Sequence, residues 1–413
     1  MSPNTIRVID RWVGIPVCWC LTGVRRLLDL FRRPRPDAKT APRKILFIKL
    51  VELGANVQAY AALQKAAEIA GRDNLFFWVF EENRPILDIL EVVPEENLLV
   101  VRNSGLFTFV FDILRTLLRV RRLRVDAAVD MEFLARASAI LAFLSGAKRR
   151  VGLHRFTTEG AYRGDLMTHR IQNNPYVHVS RLFLMMVEAL TTSGEEIPLG
   201  KEPISPEPLQ TLRFRPTPDE RARVNRLLQE TASRPVTGPL LLLNPNASDI
   251  VPLRRWPTER FVETGRRLLA GYPEATVAIT GSPSEHESAQ RVVDAIDSPR
   301  ALNLAGKTTL RDLIVLYCLA DLLITNDSGP GQFASMTPID VIVLFGPETP
   351  QLWKPLGTNI HAMWKGLACS PCVTPLNYRF SPCTDPRCML RFTVEEVVAA
   401  AEVILKRRLR GAA

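Results

Sequence analysis

Short apolar runs separated by helices of crossover length occur in two successive blocks, a pattern that few folds accommodate. Ile45-Leu-Phe-Ile-Lys49 reads as a buried strand, followed by a turn at Gly54 and a helix over Ala55–Ala70 that Gly71 closes. The alternation continues through strand Leu75–Phe80, a helix near Pro85–Leu90, strand Leu98–Arg102, helix Leu106–Arg121, strand Val125–Asp130 and helix Phe133–Leu144. A second block begins at strand Leu240–Asn244. It runs through helix Thr258–Leu269, strand Ala275–Thr280, helix Ser284–Ile296, strand Ala301–Leu304, helix Leu310–Leu319 and strands Leu322–Thr325 and Val341–Phe345. Strands joined by helical crossovers pair in parallel, and a parallel sheet is covered by helices on both faces. The fold class is therefore α/β, with two parallel-sheet domains facing a cleft. The N-terminal domain is expected over residues 44–199 and the C-terminal domain over 219–393. A Pro-rich linker over 200–218 separates them, and an amphipathic helix and tail over 394–413 close the chain. A length of 413 residues agrees with two domains.

The net charge of +10 suggests nucleic acid until it is located. Residues 1–49 hold eleven Lys and Arg against three Asp, so eight of the ten excess charges belong to a leader rather than to a face of the fold. No nucleic-acid motif accompanies them. Within the leader and linker, residues 1–43, the run Trp12–Val24 is apolar but too short to cross about 30 Å of hydrocarbon. No small-residue cleavage site follows it, which argues against a secretory signal. Trp12 and Trp19 beside Arg25-Arg26 and Arg32-Arg33 suit a segment lying on an anionic membrane surface. The alternative is a helix docked on the protein's own body.

In parallel sheets ligands sit outside the carboxyl ends of the strands, so the loops there carry the functional reading. Ile324-Thr-Asn-Asp-Ser-Gly-Pro-Gly-Gln332 runs from a strand into a helix start at Asp327, Ser328 and Gly329, where amide groups and the helix dipole favour an anion such as a diphosphate. The loop after Leu243 carries Ser248, Arg254 and Arg255, and an arginine fork suits phosphate oxygens. Thr280-Gly-Ser-Pro-Ser-Glu285 offers a carboxylate to ribose hydroxyls, although Glu in a first helical turn is also ordinary dipole complementation.

Taken in order, Asn246-Ala-Ser, Leu253-Arg-Arg-Trp-Pro257, Gly281-x3-Glu285, Leu304-Ala-Gly-Lys-Thr308, Asn326-Asp-Ser-Gly-Pro330, Phe345-Gly-Pro347 and Trp353-x-Pro355 resemble the ADP-heptose:lipopolysaccharide heptosyltransferase family, glycosyltransferase family 9. The N-terminal half matches more loosely, through Lys49-x4-Gly54, Asp130 and His178. The resemblance implies a GT-B architecture of two Rossmann-like domains and metal-independent transfer with inversion. It implies that Ser328 and Gly329 hold the diphosphate of an ADP-sugar donor, that Ser248 and Arg254 reach its phosphates and that Glu285 holds the ribose. Lys307 lies on a further loop of the same site. The resemblance implies that the N-terminal domain receives a lipid-linked saccharide acceptor, and with the basic leader and no signal sequence the protein is expected in the cytoplasm on the inner face of the membrane.

Two positions depart from the family pattern. An Asp commonly follows the glycine of the first strand–helix loop, and here that place is Ala55. Inverting transfer needs a base for the acceptor hydroxyl. Glu52 on the same loop is the first substitute and Asp130, at a strand end, the second. Gln332 stands where the family often has His, and can donate to a phosphate oxygen without carrying charge. The alternative function is a non-catalytic, membrane-associated nucleotide-sugar-binding protein. Near the C-terminus Cys369, Cys372, Cys383 and Cys388 have spacing that fits a structural zinc, with reduced thiols or disulfides as the other readings. His178 reads as a structural histidine.

Overall fold

The computed structural model describes residues 3–31, 40–133, 135–157, 160–377 and 379–412. The linker residues Arg32, Arg33, Arg35 and Lys39 lie outside them. Contacts divide the chain into two units, Met1–Gln210 with Pro375–Tyr378 and Thr211–Thr374 with Arg379–Ala413. The first unit holds strands β1 (Ile45–Ile48), β2 (Leu75–Phe80), β3 (Leu98–Val101), β4 (Ala127–Asp130), β5 (Arg149–Leu153) and β6 (His169–Ile171). The second holds β7 (Leu240–Asn244), β8 (Thr276–Ile279), β9 (Ala301–Asn303), β10 (Leu322–Asn326), β11 (Asp340–Phe345) and β12 (Ile360–Trp364).

Among the described residues each unit has one six-stranded parallel sheet, ordered β3-β2-β1-β4-β5-β6 in the first and β12-β11-β10-β7-β8-β9 in the second. Numbered within its own unit, each sheet reads 3-2-1-4-5-6, the Rossmann order. Its direction reverses between β1 and β4 and between β7 and β10, where ligands bind in such sheets. The strands are apolar throughout because both faces are covered. In the first unit Leu46, Ile48, Trp78 and Ala128 pack into one fully buried cluster, and in the second Leu243, Ile279, Ile324 and Leu344 do so with Trp256 and Phe392.

Three strands, β5, β6 and β12, carry no clear apolar run. In β5 the strand opens on Arg149 and Arg150, both buried. Arg150 donates to the carbonyls of Leu166 at 2.7 Å and Ala147 at 2.6 Å, so its charge is hydrogen-bonded and its position can lie inside the sheet. The helix expected over Ala55–Ala70 is two helices, Leu53–Gln58 and Tyr60–Ala70, separated at Ala59. The stretch before the second unit's first helix is partly committed to that unit. Phe214 is buried, and Thr217 and Glu220 form a capping box that starts the helix Pro218–Thr231.

The leader forms helices Pro3–Trp12 and Gly14–Phe31. One face docks on the first unit. Cys18 is fully buried, and a Cβ at Gly14 would approach the Arg136 side chain to 2.8 Å. Asp10 pairs with Arg136 at 2.7 Å, and Arg25 is committed to Asp29 at 3.1 Å and to Asp165. Arg25 is therefore spent on the protein itself rather than held for lipid. The opposite face leaves Trp12 74% and Trp19 71% exposed. No helix among the described residues is long and apolar enough to cross a membrane.

Candidate functional site

At the reversal point of the second sheet, two asparagines tie the strand-end loops together. Asn244, ending β7, donates to the Thr280 carbonyl at 3.0 Å beyond β8. Asn326, ending β10, donates to the Pro245 carbonyl at 2.9 Å and accepts from the Trp256 amide at 3.0 Å. The loop carrying Arg254 is thereby folded back against the end of β10. Ser328 opens the short helix Gly329–Ala334. Its hydroxyl turns back to the Asn326 carbonyl at 3.2 Å and makes no cap bond to the helix.

Arg254 is braced by acids. It donates to Glu348 Oε1 at 2.6 Å and to the Asp327 carbonyl at 3.4 Å, and its Nε lies 3.7 Å from Asp327 Oδ2. Both carboxylates are buried. Burial pushes the Asp327 carboxyl up to about 6; Arg254 opposes that rise and Glu348 reinforces it. Arg379 adds a second cation, 3.9 Å from Glu348 and stacked 5.1 Å from the Trp353 ring centroid. Arg254, expected to reach the donor phosphates, thus has its guanidinium held by two carboxylates.

Other expected donor residues are engaged locally. Gln332 is buried and donates to the Trp353 carbonyl at 2.8 Å. Glu285 accepts from the Ser282 amide at 2.6 Å in a capping box. Ser248 is exposed, and its hydroxyl accepts from Ile250 at 3.2 Å. Lys307 is exposed in a turn at Gly306, where a Cβ would meet the Pro283 backbone at 2.9 Å. That close approach sets the Lys307 loop against the Glu285 loop. Glu348, Arg379 and the bracing role of Asn326 went unread in the sequence. The apolar run ending at Gly346-Pro347 was the signal for Glu348, since it places an acid at the carboxyl end of β11.

In the first unit the reversal point gathers a different charge set. Lys49, fully buried beyond β1, donates to the Val51 carbonyl at 2.8 Å, to Glu132 at 3.1 Å and to Glu52 at 3.2 Å. Glu132 also accepts the Leu50 and Val51 amides at 2.7 and 3.1 Å, pinning the loop that follows. Glu52 sits at φ 74°, a left-handed conformation that costs a non-glycine residue of order 1 kcal/mol. Its side chain is 25% exposed.

Asp130, the second candidate base, is fully buried and ion-paired to Arg163. A carboxylate enclosed in that way cannot meet an acceptor hydroxyl, so this expectation is corrected. His178 caps the helix Val179–Glu188, with Nδ1 accepting the Ser180 amide at 3.3 Å.

The four C-terminal cysteines are free thiols. Cys388 is buried and pushed up to about 11, by burial first and then by Cys372, Cys383 and Cys369 nearby. Among the described residues no group of three or more Cys, His, Asp or Glu is arranged to hold a metal ion.

Two Rossmann-ordered parallel sheets, one per unit, each with its charged residues at the point of reversal, define the GT-B class. The chain superposes on a glycosyltransferase family 9 structure from Veillonella parvula with a TM-score of 0.70, at 18% identity over 91% of this chain and 100% of that one. For the Escherichia coli ADP-heptose lipopolysaccharide heptosyltransferase II the TM-score is 0.66, at 18% identity over 88% and 99%.

The chain belongs to glycosyltransferase family 9 (heptosyltransferase), whose model matches residues 113–378. Among curated relatives, lipopolysaccharide heptosyltransferase 2 of Salmonella typhimurium is 26% identical over 245 residues, which is 55% of this chain and 65% of the relative. The Escherichia coli protein of the same name is 25% identical over 243 residues, with the same coverage. The matched part thus spans just under two thirds of these relatives' length.

Proposed function

We propose that this protein is an inverting glycosyltransferase that moves a heptose from ADP-heptose to a lipopolysaccharide-core or related glycolipid acceptor. The observation that carries the proposal is the braced Arg254 beside the Ser328–Gly329 helix start, at the point where the second sheet reverses. A cation held by two carboxylates and a set of first-turn amides together suit an entering diphosphate, which exchanges with carboxylate for the guanidinium. No metal is needed for that exchange. The names of the relatives, lipopolysaccharide heptosyltransferases, and of a solved Escherichia coli heptosyltransferase with ADP support the donor and acceptor classes. The exposed Trp12 and Trp19 of the leader support a peripheral position on the cytoplasmic face of the membrane.

Calorimetry against ADP, UDP, GDP and ADP-heptose tests the donor site. Selective binding of the adenine nucleotides is expected, and indifference to all four overturns the proposal. A second reading, a binder without turnover, is favoured by Ala55 at the family's usual acidic position. Donor binding without any transfer to lipopolysaccharide-core acceptors decides for it.

The pH dependence of binding follows from Asp327. Below about pH 6 its carboxyl is neutral, which removes a negative charge from the diphosphate's surroundings and loosens one hold on Arg254. Nucleotide affinity should therefore rise as pH falls through that value. Asp327→Asn should bind ADP about tenfold tighter than wild type at pH 8, a modest part of the roughly 4 kcal/mol that two charges exchange at 4 Å near a surface. Comparing the two proteins cancels the nucleotide's own titration. Equal affinities at pH 8 would remove Asp327 from the site.

A further inference from the structure

The helix Leu106–Leu123 presents an outward face unlike that of any ordinary surface helix. Phe107 is 92% exposed, and Val110, Phe111, Leu114 and Leu118 follow it on the same side, each about half exposed or more. Their spacing of three and four residues makes a continuous apolar stripe. Arginines border its C-terminal half. Arg115 and Arg122 form no ion pair among the described residues, and with Phe111, Leu114 and Leu118 they line a groove of about 880 Å³ against the edge strand β3. The one acid of the helix, Asp112, is buried and committed to Arg102 at 2.8 and 3.0 Å, and the exposed Asp88 and Glu95 beside the groove pair with Arg84 of its lining. The outward face of the helix itself thus carries large apolar side chains and positive charge, with no exposed acid among its own residues.

We infer that this helix is a docking surface for an anionic phospholipid bilayer, lying in the interface with Phe107, Phe111, Leu114 and Leu118 among the acyl chains and its arginines at the headgroups. Charge decides between occupants. A second copy packed helix on helix across a two-fold axis would bring the same acid-free helix face against itself and set arginine against arginine. A bilayer supplies both what the stripe lacks and what it seeks: phosphate oxygens at the depth of the guanidiniums and hydrocarbon just beneath. The docked leader gave no hint of this surface, because its own outward tryptophans belong to different helices. The inference extends the proposed peripheral membrane position, and the two fail separately.

The test is flotation of the full chain with vesicles of phosphatidylcholine alone or of phosphatidylcholine with phosphatidylglycerol. Wild type is expected to float with the anionic vesicles only. Phe111→Asp with Leu114→Asp, both at exposed positions, should lower the partition coefficient about tenfold or more. Arg115→Glu with Arg122→Glu should do so by a similar factor, at about fivefold per arginine, and flatten the salt dependence. Trp12→Ser with Trp19→Ser reports the leader separately, and the helix effect should persist in that background. Retained ADP affinity and an unchanged unfolding midpoint keep the variants interpretable. Helix variants that float like wild type would overturn the inference. So would a wild-type dimer in sedimentation equilibrium that Leu114→Asp converts to a monomer.

Discussion

Arg163→Met is expected to lower the midpoint of thermal unfolding by about 10 °C at pH 8. Arg163 spends its guanidinium on five partners: Asp130, Ser138 Oγ at 2.9 Å and the carbonyls of Ala135, Glu132 and Leu153 at 3.1, 3.3 and 3.4 Å. It thereby joins the end of β4 to the end of β5 and to the helix Arg136–Leu144. Methionine fills similar volume but leaves a buried carboxylate and three carbonyls without their donor. Removing one partner of a buried pair costs about 3–5 kcal/mol, and each kcal/mol moves a unit of this size by about 2–4 °C.

The pH dependence separates lost charge from lost packing. Burial raises Asp130 to about 6 in the folded protein, against which Arg163 works. A carboxyl raised above its unfolded value binds more protons when folded, so this group favours the fold at acid pH and withdraws that support as pH rises through about 6. Without Arg163 the carboxyl rises further. The deficit of the variant should therefore be largest at pH 8 and shrink toward pH 5, where Asp130 is neutral in both proteins. A deficit that stays constant with pH would mean that packing, not charge, is what Arg163 supplies.

The same residues show what the sequence could and could not disclose. The βα alternation was plain because the strands are buried on both faces and read as unbroken apolar runs. Each β–α block therefore announced itself without knowledge of its partners. β5 escaped because its two arginines are satisfied by carbonyls from residues 147, 166 and 190, contacts that no local pattern records. Asp130 was read as a candidate base from its place at a strand end, but its enclosure depends on Arg163, thirty-three residues on. Glu132, two residues beyond it, was passed over. The parallel register that sets Ile48 beside Asp130 carries Glu132 to the Leu50 amide, and only pairing across the sheet reveals it. In the second unit the loops were found correctly as strand ends. Glu348, one of the two acids that hold Arg254, was not, since it comes from a different strand end, ninety-four residues away.

Glu52→Gln is expected to reduce transfer to acceptor by about 10²- to 10⁴-fold while leaving ADP affinity unchanged, the range general-base removal usually produces. The argument begins with elimination. Ala55 has no proton acceptor, and Asp130 is enclosed with Arg163, so of the two candidate carboxylates at this reversal point only Glu52 retains solvent exposure. Its placement is constrained twice. The backbone holds it at positive φ, and Lys49, itself fixed by Glu132 and the Val51 carbonyl, holds the carboxylate at 3.2 Å. A surface glutamate without a task has no need of either constraint, and strained residues concentrate where geometry serves chemistry. Glutamine keeps the shape and can still accept a hydrogen bond from Lys49, so the fold and the unfolding midpoint should change little. Glu52→Asp, shorter by one methylene but still a base, should recover part of the rate. If glutamine transferred sugar within a few-fold of wild type, the proton would have to leave by another group, and Glu52 would be no more than the Lys49 counter-ion.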